Sequence, residues 1–138
     1  MNARRAAGAC ALALLLVTGA CGGSSDDEAA LGTLHGSDPV RIASRERVDV
    51  EVRPVEPIKL GKNTFVVSFP SRSGAELASV SALMPAHGHG SPAATIEPSA
   101  EGFVVRDLVL YMSGRWELRL GLRVDAHEDE AIVAVDVP

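Results

Sequence analysis

Beyond Cys21 the sequence has no cysteine, and the only earlier one, Cys10, sits inside an apolar leader. A chain without thiols past that point has no disulfide scaffold, no thiol nucleophile, no iron–sulfur site and no thiolate-bound metal. Aromatic residues are scarce as well, with one Trp, one Tyr and three Phe in 138 residues. The apolar stretch at Ala6–Ala20 falls short of the roughly 20 residues that carry a helix across a bilayer, so a permanent span is not expected. Positive charge is in deficit, 13 Lys+Arg against 18 Asp+Glu. Loss of Arg4 and Arg5 with the leader leaves 11 against 18, a balance of −7, which argues against nucleic acid and against a polybasic grip on lipid headgroups. Nucleophile elbow, P-loop and dinucleotide fingerprint are all missing, and no Ser or Asp stands in a context from which a triad can be argued. The expectation is a binding protein, not an enzyme.

The first residues are an export signal. Arg4 and Arg5 form a cationic start, Ala6–Val17 is rich in Ala and Leu, and Gly19 and Ala20 are small. Ala6-Ala7-Gly8 lacks the bulky apolar residue of a twin-arginine signal, so general secretion is expected. Cleavage after Ala20 makes Cys21 the first residue. Val17-Thr18-Gly19-Ala20-Cys21 resembles a bacterial lipobox, in which small side chains fit the peptidase and the thiol accepts the lipid. The resemblance implies a lipoprotein signal over 1–20 and a lipidated Cys21, holding the protein to a membrane of the bacterial cell envelope with its domain in the periplasm or another extracytoplasmic space. Gly22-Gly23-Ser24-Ser25-Asp26-Asp27-Glu28 and the small and polar residues up to Arg47 lack period and bulk. Residues 21–47 therefore read as a disordered tether with a reach of roughly 30 Å. His35 lies within it and is assigned no role.

From Val48 the pattern becomes strict alternation, the period of a half-buried strand. Val48, Val50 and Val52 share one face, as do Phe65, Val67 and Phe69, and Trp116, Leu118, Leu120, Leu122 and Val124. Less regular runs at Leu77–Met84, Ala94–Glu97, Phe103–Met112 and Ala131–Val137 raise the number to about seven strands, with turns at Pro70–Gly74 and Ser113-Gly114. No helical period competes. Residues 48–138 are thus expected to form an all-β domain, a small antiparallel immunoglobulin-like sandwich with Trp116 as its largest core plug.

The chemically distinctive stretch is Leu83-Met84-Pro85-Ala86-His87-Gly88-His89-Gly90. Two imidazoles two residues apart point the same way in extended chain, and Pro85, Gly88 and Gly90 force a loop. Met84 precedes that loop and Met112 precedes the Ser113-Gly114 turn, each at the end of an expected strand. Thioether with imidazole suits copper, and zinc ranks second because it normally recruits thiolate or more nitrogen and carboxylate. A plainer reading stands beside this one. Met84 is in phase with Val80 and Ala82, and Met112 with Leu108 and Leu110, so both thioethers also suit a core. His87 and His89 equally suit a solvated loop. His127, in Ala126-His127-Glu128-Asp129-Glu130, reads as part of a charged hairpin turn.

Several elements together resemble the YtkA-like domains, which are related in arrangement to FixH and copper-chaperone-like periplasmic modules. These are Gly61-Lys62-Asn63-Thr64-Phe65, Gly74, Met84-Pro85-Ala86-His87-Gly88-His89-Gly90, Gly102-Phe103 and Leu110-Tyr111-Met112-Ser113-Gly114-Arg115-Trp116-Glu117-Leu118. The resemblance spans about Val48–Pro138. It implies an exported immunoglobulin-like sandwich that binds copper or delivers it to a respiratory oxidase, with Met84, His87, His89 and Met112 as the metal set and a copper-receiving membrane protein as partner. Many relatives carry a further methionine where this chain has Ala86. The competing reading of the same domain is a metal-free interaction module that docks onto a membrane enzyme or transporter.

The lipid anchor has a direct check. Replacement Cys21→Ser should move the exported protein from the membrane fraction to the soluble one and abolish incorporation of labelled fatty acid; unchanged labelling would disprove the assignment.

Overall fold

The computed structural model describes residues 32–138. The expected signal peptide, the lipidated Cys21 and the tether as far as residue 31 lie outside the described residues. The remainder is all-β, and no helix among the described residues is long and apolar enough to cross a membrane.

Ten strands follow one another: β1 Thr33–Leu34, β2 Val40–Ala43, β3 Asp49–Pro54, β4 Gly61–Ser68, β5 Glu76–Met84, β6 His89–Gly90, β7 Thr95–Ser99, β8 Gly102–Leu110, β9 Gly114–Val124 and β10 His127–Val137. They form two five-stranded sheets, β1-β10-β9-β5-β6 and β2-β3-β4-β8-β7. All neighbours are antiparallel except β1 and β10, which run parallel. Without β1 and β2, the orders β3-β4-β8-β7 and β10-β9-β5-β6 reproduce the two sheets of an immunoglobulin sandwich, strands A-B-E-D facing C-F-G with one added edge strand.

The alternation accounts for the layers. Val50, Val52, Phe65, Val67, Trp116, Leu118, Leu120 and Leu122 are all shielded from solvent, while Glu51, Arg53, Glu117 and Arg119 between them face out. Phe69, expected in the core, is only half-buried at its margin, where its ring meets that of Phe103 edge-on at 6.0 Å. All seven expected strands are present; the other three are short segments, two of them of only two residues.

Two of those three correct the expected tether. β1 and β2 lie inside 21–47, so strand structure begins at Thr33 instead of after Arg47. The cause is long-range. Leu34 is buried in the core, β1 pairs Thr33 with Ala134, and β2 pairs Ile42 with Val50. His35 also has a partner, its Nδ1 lying 3.3 Å from a carboxylate oxygen of Asp136.

The turn at 44–47 is tied to the far end of the chain. The Arg45 N–H donates to the Glu130 carbonyl at 3.0 Å, and the Glu46 N–H donates to the carboxylate of Asp129 at 3.2 Å. Asp129 is buried for this reason. The hairpin turn expected around His127 occupies Asp125-Ala126, and His127–Glu130 already belong to β10.

That two-residue turn places both Asp125 and Ala126 at positive φ, 47° and 68°. Two left-handed residues in succession match the twist of the flanking strands, but alanine in this region is strained by roughly 1–2 kcal/mol. Replacement Ala126→Gly should therefore raise unfolding free energy by about 0.5–1 kcal/mol after the extra chain entropy of glycine is deducted. Chemical denaturation is the check, and a loss of stability would contradict the strained turn.

Candidate metal site at one rim of the sandwich

The strand register sorts the loops into two ends. Gly61 pairs with Leu110, Gly114 with Val137, and Met84 with His89. The loops 35–39, 55–60, 85–88 and 111–113 and the chain end at Pro138 thus share one rim. The turns 44–48, 69–75, 100–101 and 125–126 share the other, which carries Arg45, Glu46, Arg72, Asp125, Glu128 and Glu130.

The histidine loop is the β5–β6 hairpin. Pro85 closes off the ladder after Met84, since it has no N–H to donate. The Met84 carbonyl then accepts from the N–H groups of His87 at 3.2 Å and Gly88 at 2.9 Å. Gly88 stands at φ 65°, a left-handed position for which glycine carries no Cβ penalty, and the strand resumes at His89. Both imidazoles are exposed and nearly parallel, with ring centroids 6.1 Å apart and planes at 23°. Two nitrogens bound to one copper or zinc ion lie no more than about 4 Å apart, given bonds of roughly 2.0–2.1 Å.

Tyr111 ties this hairpin to the neighbouring turn. Its hydroxyl donates to the Gly90 carbonyl at 3.3 Å and its ring meets His89 edge-on at 6.2 Å. On its other side it meets Trp116 at 5.3 Å with planes at 82°. Trp116 is fully buried and gives its one N–H to the Met112 carbonyl at 3.0 Å. A ladder of rings thus runs from the core to the surface through Trp116, Tyr111, His89 and His87.

The two methionines have different surroundings. Met112 is half-buried on the 111–113 turn, packed against the margin of the core. Met84 is 3% exposed and belongs to the core itself. Its terminal methyl fills the space above Gly114, where an added Cβ would come within 2.9 Å of it, and Gly114 stands at φ 118°. The four residues of the expected metal set therefore share one rim, with His87 and His89 on its surface, Met112 at its edge and Met84 beneath. No group of three or more His, Cys, Asp or Glu side chains poised to hold a metal occurs among the described residues, so any ion here relies on the imidazole pair and on thioether.

Sequence reasoning overlooked Tyr111 as part of this site. The available signal was its phase, one position past the inward Leu110 and so directed outward beside Met112. Comparison with known proteins adds no neighbour: no family model, no curated protein and no solved structure matches the chain.

Packing and ligation by Met84 make different demands on its side chain. Met84→Leu preserves volume and should cost less than about 1.5 kcal/mol, whereas Met84→Ala should cost about 2–5 kcal/mol through the cavity it opens. Urea unfolding of the metal-free protein reads both; equal, negligible losses would remove Met84 from the core.

Proposed function

We propose that the chain is an exported, lipid-anchored protein of the bacterial envelope that binds copper at this rim and takes part in copper handling or delivery to a membrane-bound respiratory oxidase. The observation that carries the reading is the pair of exposed, nearly parallel imidazoles of His87 and His89 on a glycine-shaped hairpin at the rim that also carries Met112. Sulfur favours the cuprous ion and imidazole serves either oxidation state, while zinc is the second choice. The resemblance of Met84–Gly90 and Leu110–Leu118 to the YtkA-like domains, read from the sequence alone, is what suggests delivery to an oxidase. Met84 then supports the hairpin from below, with Met112 as the accessible thioether. The protein acts by binding and transfer, not by catalysis, and its partner is a copper-receiving membrane protein.

Titration with cuprous and cupric ions tests this, beside a variant carrying His87→Ala and His89→Ala. The variant should bind at least about tenfold more weakly, a loss of 1.4 kcal/mol or more. Equal and weak binding by both proteins would reject the copper reading and leave the metal-free interaction module.

A further inference from the structure

We infer that the rim is a self-association surface, on which a copper ion joins two copies of this chain through the His87 and His89 pairs of both. The inference rests on the copper reading and adds to it who completes the coordination.

The first argument is the count of donors. Cupric ion and zinc are commonly held by four donors and the Met112 thioether suits the cuprous ion instead, so for cupric ion each rim presents two exposed imidazoles, with no third His, Cys, Asp or Glu grouped with them among the described residues. A second copy brings two more imidazoles of identical placement. A twofold arrangement then supplies four nitrogens from two equivalent patches, the isologous contact of a symmetric dimer.

The second argument is position. The hairpin includes β6, the outermost strand of its sheet, so no strand is paired along its outer edge.

The third is the surface around it. Among the described residues three large apolar side chains are exposed: Val55 at 51%, Leu60 at 52% and Tyr111 at 44%. All three lie at this rim. Leu60 and Tyr111 flank the register pair Gly61 and Leu110, and Tyr111 touches His89. Leu60 and Tyr111 thus set exposed apolar side chains next to the ligand pair, as interfaces do.

The fourth is charge. The chain carries a formal −5, and two acidic copies repel each other. Repulsion is weakest where charges are already paired. At the rim Lys59 holds Glu56 at 2.6 Å, Lys62 holds Asp107 at 2.9 Å, and His35 lies 3.3 Å from Asp136. The opposite end pairs Arg45 with Glu130 and Arg72 with Asp125 but also carries Glu46, Glu128 and Asp129.

Native mass spectrometry of the full chain released from detergent counts chains and ions in one reading. With cupric ion added at half the chain concentration, the expected species is two chains with one copper. A variant with His87→Ala and His89→Ala should remain a single chain without copper. Leu60→Asp, outside the ligand set, should still take up copper but form at least about tenfold less dimer, since it buries an unpaired charge in the contact. One copper on one chain, with no dimer at any ratio, would overturn the inference and leave the copper reading standing. Absence of copper from every species would overturn both. A dimer that persists without copper and in the histidine variant would overturn the metal bridge alone.

Discussion

The rim depends on the burial of Trp116. An indole with no solvent exposure must give its N–H to a partner or lose the hydrogen bond it had in water. Here the Met112 carbonyl accepts it at 3.0 Å, which fixes the 111–113 turn at the mouth of the sandwich. That turn sets Tyr111 against the indole face on one side and His89 on the other. The orientation of an exposed hairpin thereby follows from a hydrogen bond inside the core. The same turn is tied to the chain end, because the Ser113 hydroxyl donates to Pro138.

The two ends of the sandwich are built from different materials. At one, charged turns are cross-linked by ion pairs such as Arg45 with Glu130 and Arg72 with Asp125. These exposed pairs contribute little free energy each, and their effect is chiefly to keep that surface wet. The other end has ion pairs of its own, Lys59 with Glu56 and His35 with Asp136, but adds ring contacts and leaves Leu60 and Tyr111 open to solvent.

The long strands were legible in the sequence because each buries one face completely. Trp116 through Val124 alternate without exception, and the shielded side chains at 116, 118, 120, 122 and 124 match that alternation residue for residue. The short strands were not legible. Thr33–Leu34 holds its place through Ala134 and Val135, a hundred residues away, and two residues carry no period. Asp129 was hidden for the same reason, since its partner Glu46 is distant in sequence. In the candidate site the turn after Met84 could be read from Pro85 and Gly88, but the loop expected to run through Gly90 instead returns as a strand, with His89 and Gly90 paired to Met84 and Leu83. The division of labour between the methionines could not be read, because both fit the same inward phase, and only the space above Gly114 shows which of them packs beneath the rim.

The smallest strand has a directional consequence. Because β1 runs parallel to β10, which ends at the rim, the backbone passes Gly32 travelling toward the histidines, and Gly32 is held to Ala134 from behind. The domain is therefore entered from the side of its charged turns. Two residues of parallel pairing thus give the body a front and a back, with the imidazoles at the front.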